Sequence, residues 1–151
     1  MGSKADRAKA LFLEGYNCAQ AVFGAFCEDF GIDINTGLMI SSGFGGGISR
    51  RREVCGAVSG GVMVLSMVHG YSDPSADDEK KKLYEEVRGV LKAFEEETGS
   101  IICRELLGLQ EKESVPTPEP RSESYYKKRP CAELVYLSAK FVEEHLENLQ
   151  K

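Results

Sequence analysis

The sequence predicts an all-α protein, and three observations carry that prediction. Apolar residues recur at three- and four-residue spacing through most of the chain. Glycines, prolines and Asn/Ser capping residues stand where those stripes stop and start. No segment shows the sustained two-residue alternation of a half-buried strand. The 151 residues suit a single domain of ordinary size, about five to seven helices in a bundle spanning 1–151.

Each helix has its own signature. Ala8, Leu11 and Phe12 make the first stripe, and Gly15 breaks it. Asn17 is an N-cap for a second helix from Cys18, whose stripe is Ala19, Val22, Phe23, Phe26 and Phe30, ended by Gly31. A short helix over Thr36–Ser42 leads to a glycine loop, Gly45-Gly46-Gly47. After Arg50-Arg51-Arg52 comes a helix over residues 54–69 without Asp, Glu, Lys or Arg. That stretch is long enough to test as a membrane span, but its glycines, serines and histidine favour a buried central helix.

Ser75-x-x-Asp78 resembles a capping box, and Asp77, Asp78 and Glu79 suit the positive end of the next helix. Leu83, Val87, Val90, Leu91 and Phe94 form its inner face before Gly99. Ser100 caps a short helix through Leu109. Residues 111–129 hold Pro116, Pro118 and Pro120 among alternating charges, the composition of a surface loop. Pro130 opens the last helix, with Leu134, Val135, Phe141, Val142, Leu146 and Leu149 facing inward.

Composition narrows function. With 19 Lys+Arg against 24 Asp+Glu, the net charge of −5 and the lack of a basic stripe exclude nucleic acid and anionic membranes as main partners. The opening residues Met1 to Arg7 lead into no apolar secretory core, so a cytoplasmic, reducing setting is expected. There, cysteines are more often catalytic or metal-binding than crosslinked. Five are present, an odd number too sparse for a disulfide scaffold.

Placed on the helix map, Cys18, Cys55, Cys103 and Cys131 each fall in the first turn of a helix. Free N–H groups and the helix dipole there favour the thiolate, the nucleophilic and metal-ligating form. Cys27 falls near a helix end beside Glu28 and Asp29, where a thiolate is disfavoured, and is expected to be inert. The four are separated by 37, 48 and 28 positions with no C-x-x-C, so no local zinc or ferredoxin motif exists. Four helix starts brought together would make either a set of exchanging thiols or a four-thiolate nest for an iron–sulfur cluster or other soft metal. The arginine run 50–52 would lower a neighbouring thiol pKa.

Asn17-Cys18-Ala19-Gln20-Ala21-Val22, the glycine run 45–47, Cys55-Gly56-Ala57-Val58-Ser59-Gly60 and the lone Cys103 and Cys131 together resemble the C_GCAxxG_C_C family of redox-active proteins. The resemblance covers nearly the whole chain and implies a small, mostly helical, cysteine-dependent protein. Its four signature cysteines fall on Cys18, Cys55, Cys103 and Cys131, and Cys27 has no counterpart. Cys-Gly-Ala stands here where the family label reads Gly-Cys-Ala.

Gly56 and Gly60, one turn apart, let another backbone or a cofactor come close. Gly45, Gly46 and Gly47 could present N–H groups to an anion or to cluster sulfides. Gly43-x-Gly45-x-x-Ile48 misses the dinucleotide fingerprint, and the absence of C-x-x-C-H excludes covalent c-type haem. His69 is expected to cap a helix end, His145 to lie on the surface, and Met63 and Met67 to pack in the core. With no histidine placed as a base, a hydrolase is disfavoured. The leading expectation is a protein whose four cysteines do thiol/disulfide or electron-transfer chemistry with a partner protein or a small thiol. The alternatives are a metal or cluster protein using the same four ligands, and a non-catalytic helical interaction module. Oligomeric state cannot be read from the sequence.

Overall fold

The computed structural model describes residues 3–108 and 115–149, and these are helical almost throughout. Eight α-helices follow in order among them: α1 Lys4–Leu13, α2 Cys18–Phe26, α3 Ile34–Ser41, α4 Gly56–His69, α5 Asp77–Thr98, α6 Cys103–Leu106, α7 Glu123–Lys128 and α8 Cys131–Leu149. Seven occupy the stretches expected from the sequence. The eighth, α7, lies in the Pro-rich region read as loop, capped by the Ser122 side chain, which accepts from Tyr125 N. Residues 115–122 carry no regular structure; positions 111–114 of the Pro-rich stretch, and Leu109 at the expected end of the preceding short helix, lie outside the described residues.

Two short, mostly apolar helices form the centre. In α2, Ala19 and every residue from Ala21 to Phe26 are buried. Helix α4 buries Gly56, Ala57, Val58, Gly60, Gly61, Val64 and Leu65. They pack against each other, with α1 and α8 completing the cluster around α2 and with α5 against α4 and α8. Small residues set the spacing: Ser138 Oγ of α8 donates to Ala57 O at 2.7 Å, and a methyl at Gly61 would stand 2.9 Å from Ser138 Oγ. Among the described residues no helix is long and apolar enough to cross a membrane.

Several local expectations need correcting. Helix α2 ends at Phe26 and continues as a 3₁₀ turn over Cys27–Phe30. The tighter winding rotates Phe30 out of the stripe, leaving it exposed. Leu149 is exposed as well, at the end of α8 beyond the core. Ser75 does not close a capping box: its Oγ donates to Asp73 Oδ1 at 2.7 Å, and α5 starts without a side-chain cap.

His145 is not a surface bystander. Its Nε2 pairs with Oε1 of the buried Glu86 at 3.1 Å, and His69 Nδ1 lies 3.1 Å from the same oxygen. The two histidines thus share one carboxylate that joins α4, α5 and α8. Met63 and Met67 pack, partly buried, on the core as expected.

A candidate redox site at four helix starts

The cysteines sit at helix starts because each start is fixed by a separate local device. Asn17 and Gln20 form a reciprocal capping box, Asn17 Oδ1 accepting from Gln20 N at 2.9 Å and Gln20 Oε1 from Asn17 N at 3.0 Å. Cys18 is therefore the first residue of α2. The Asn17 amide also donates to Ser42 O at 2.9 Å, tying this start to the glycine turn.

Cys55 and Cys103 are brought together by the only β pairing among the described residues, an antiparallel bridge between Val54 and Ile102. Cys55 N donates to Ile101 O at 2.8 Å and Cys103 N to Glu53 O at 2.6 Å. Each cysteine follows one bridge residue, so Cys55 becomes the N-cap of α4 and Cys103 the first residue of α6. Cys131 follows Pro130, whose carbonyl takes the first amides of α8.

Between α3 and the bridge the chain makes an unusual turn. Gly46, Gly47, Ile48, Ser49, Arg50 and Arg52 all have positive φ, from 50° to 70°. Four of these are not glycine, and a side chain in this conformation costs of order 1 kcal/mol or more. Hydrogen bonds across six residues hold the turn: Ser49 N to Gly43 O, Arg52 N to Gly46 O and Glu53 N to Gly47 O. The residue at 47 must be glycine. Its φ is +68°, and a methyl there would stand 2.7 Å from Cys103 Cβ, Arg52 Cα and Glu53 N.

All four helix-start cysteines line one small cavity of about 50 Å³. Gly46, Gly47 and Gly56 line it too. A methyl at Gly56 would lie 3.1 Å from Cys18 Cβ, so the close approach there is of α4 to α2 rather than to a cofactor. Gly60 plays the same role one turn on, against Ala19 O and Val22. Gly45 packs on the Asn17 side chain and lies outside this cavity. Cys27 is elsewhere, fully buried against Gly37.

The thiols differ in charge state. Cys18 and Cys131 act most on each other: their pairing raises the Cys18 thiol well above its ordinary value and lowers Cys131 to about 7. Burial opposes the Cys131 shift, and the guanidinium groups of Arg129, Arg52 and Arg121 reinforce it. Burial pushes Cys55 up to about 12, with the amides of Val58 and Ala57 pulling the other way. Cys103 is raised by burial, partly offset by Arg52, whose Nη1 lies 3.7 Å from its sulfur. Helix starts thus do not activate all four thiols alike. A helix terminus is worth about 0.3–1 kcal/mol, less than one pKa unit, whereas full burial moves a group by up to about 3–5 units.

Of the arginine run, Arg52 turns inward and is 7% exposed. Arg51 points out and lies 3.7 Å from Glu53. Two further site residues come from the stretch read as surface loop. Arg121 donates to Phe12 O at 3.0 Å and to Tyr16 O at 2.9 Å, stacks 4.3 Å above the Phe12 ring, and lines the cavity beside Tyr125. Tyr125 is pushed up to about 12, chiefly by burial and then by the charge of Cys131, so its hydroxyl keeps its proton. The signal that could have found them is Ser122-Glu123, a cap followed by an acidic first turn, ahead of an aromatic pair.

Among the described residues no group of three or more His, Cys, Asp or Glu is placed to hold a metal ion.

The family model described as "Putative redox-active protein (C_GCAxxG_C_C)" matches residues 16–145. An uncharacterized protein of Archaeoglobus fulgidus is similar at 30% identity over 117 residues, 68% of this chain and 76% of the relative. No solved structure matches. All four cavity cysteines lie within the matched stretch, and the chain belongs to the C_GCAxxG_C_C family of redox-active proteins.

Proposed function

We propose that this protein cycles between a dithiol and a disulfide at Cys131 and Cys18. Cys131 is the nucleophile and Cys18 the thiol that closes the bond. The observation that carries the reading is the placement of these two cysteines side by side in the lining of one cavity with Arg52 and Arg121. It supplies an acid–base pair: one sulfur as thiolate, its neighbour holding the proton. The half-reaction turns Cys131–S⁻ and Cys18–SH into one S–S bond, releasing one proton and two electrons to an acceptor. Arg129, Arg52 and Arg121 stabilise the thiolate before attack.

Cys55 and Cys103, held protonated, serve as packing around the pair rather than as attacking groups. In a reducing, cytoplasmic setting the pair rests as the dithiol. The test is mild oxidation with dissolved oxygen and a trace of copper(II) followed by peptide mapping. A Cys18–Cys131 crosslink with Cys27 still free is expected. Five free thiols after oxidation, or a crosslink that omits Cys131, would contradict the reading.

A further inference from the structure

Which oxidant reaches Cys131 is constrained by the space around it. Outside the thiol cavity lies a larger surface groove of about 350 Å³ that shares Asn17, Gly46, Arg52, Arg121 and Tyr125 with it. None of the four site cysteines lines that groove. Arg52, Arg121 and Tyr125 therefore form the partition between an outer vestibule and an inner thiol chamber.

The vestibule is the size of a small-molecule site, for which about 300–1,000 Å³ is usual. The chamber, at about 50 Å³, holds little more than one or two water-sized molecules. Attack on a disulfide needs the substrate's two sulfurs in line with the attacking one, and a substituent on each. The chamber has no room for that. Cys131 is also 9% exposed, so a partner protein's disulfide cannot be laid against it from outside.

We propose that the substrate of the inner chamber is hydrogen peroxide, with Cys131 as the attacking sulfur and Cys18 as the resolving one. This names the oxidant for the dithiol/disulfide cycle proposed above and rests on that reading. Peroxide has two heavy atoms, is uncharged, and needs hydrogen-bond donors on the oxygen that leaves. Arg52, Arg121 and Tyr125, all bearing donors, line the space it would occupy.

The steps balance. The Cys131 thiolate attacks one peroxide oxygen, forming S–O and breaking O–O. Hydroxide leaves and takes a proton from solvent to become water. Cys131 is now a sulfenic acid, oxidised by two electrons. Cys18 sulfur then attacks the Cys131 sulfur, the S–S bond forms, and the hydroxyl departs as a second water with the Cys18 proton. A dithiol reductant returns two electrons and two protons and restores the pair.

The experiment uses the full chain in reduced form. Cys18→Ser is exposed to hydrogen peroxide, cumene hydroperoxide or glutathione disulfide, then quenched with dimedone in denaturant, and dimedone adducts or mixed disulfides are mapped by mass spectrometry. The expected result is a dimedone adduct at Cys131, formed with hydrogen peroxide roughly 10-fold or more faster than with the bulky hydroperoxide, and no mixed disulfide with glutathione. In Tyr125→Ala, which opens the partition, cumene hydroperoxide should gain on hydrogen peroxide. Equal rates with both hydroperoxides in the unaltered partition, or a glutathione adduct forming faster than the sulfenic acid, would overturn the proposal. Copper-catalysed air oxidation separates the two readings. A Cys18–Cys131 disulfide from dioxygen with a slow peroxide reaction sinks the peroxide assignment alone, and no disulfide from any oxidant sinks both.

Discussion

The molecule buries cysteines in two places, and the contrast between them locates the chemistry. Cys27 lies under the 3₁₀ turn after α2, and a methyl at Gly37 would stand 2.6 Å from its sulfur. Burial and the Glu28 carboxylate beside it raise its thiol. Cys27 does not line the cavity shared by the other four. At the other place, four sulfurs border a cavity with three arginines acting on one of them. Burial is common to both regions. Open space and positive charge belong to one, so a buried cysteine becomes a site only when both are built beside it.

Replacing the nucleophile should break this contrast most completely. Cys131→Ser is expected to lower peroxide- or iodoacetamide-reactive thiol at pH 7 by roughly 100-fold, measured by mass-resolved alkylation. If Cys55 or Cys103 then reacts in its place, the division of roles among the four is wrong.

Gly47→Ala follows, as a structural blow to the same region. The strained φ and three contacts of 2.7 Å should cost about 3 kcal/mol, read as a fall in Tm. Gly43→Ala, with no atom within 4 Å of the added methyl, should stay within about 0.5 kcal/mol. Equal effects would mean that the left-handed turn does not hold the site.

Arg129→Gln sharpens the electrostatic half. Removing one of the three cations should raise the Cys131 thiol by about half a unit to one unit, slowing its alkylation at neutral pH by roughly 3-fold. The effect should shrink as salt rises, because the cation is partly solvated.

Cys27→Ala should change least. Alkylation and oxidation of the other thiols should match the parent protein, with about 1 kcal/mol of stability lost to the small void. A change in Cys131 reactivity would tie the two regions together and undo the comparison.

The linkage between charge and stability has a definite sign. The folded Cys131 value of about 7 lies below its ordinary 9.0, so its contribution is full above the ordinary value and is lost as pH falls through 7. Cys18, raised, works the other way: its contribution is present below its ordinary value and is lost as pH climbs through its folded value.

Much of this fold was legible because helical spacing and capping are local. Asn17, Gly31, Gly99 and Pro130 mark boundaries within a few residues of themselves. The four cysteines were legible as helix starts for the same reason. What could not be read was their inequality, which depends on burial and on arginines from distant segments. Arg121 reaches the site from a Pro-rich stretch whose composition says loop, and its anchors, Phe12 O and Tyr16 O, lie more than a hundred positions away. His69 stands in the last turn of its helix as expected, but the pairing of His145 was not legible, since Glu86 meets His69 and His145 only after α4, α5 and α8 pack.

The central claim is that one thiol among five is the nucleophile. Differential alkylation of the reduced protein across pH, with each cysteine quantified by mass spectrometry, tests it most directly. The account predicts that Cys131 labels first with a midpoint near 7, while Cys55, pushed up to about 12, stays unlabelled in the folded protein. Labelling of Cys55 or Cys27 as fast as Cys131, or a Cys131 midpoint at its ordinary 9.0, would contradict it.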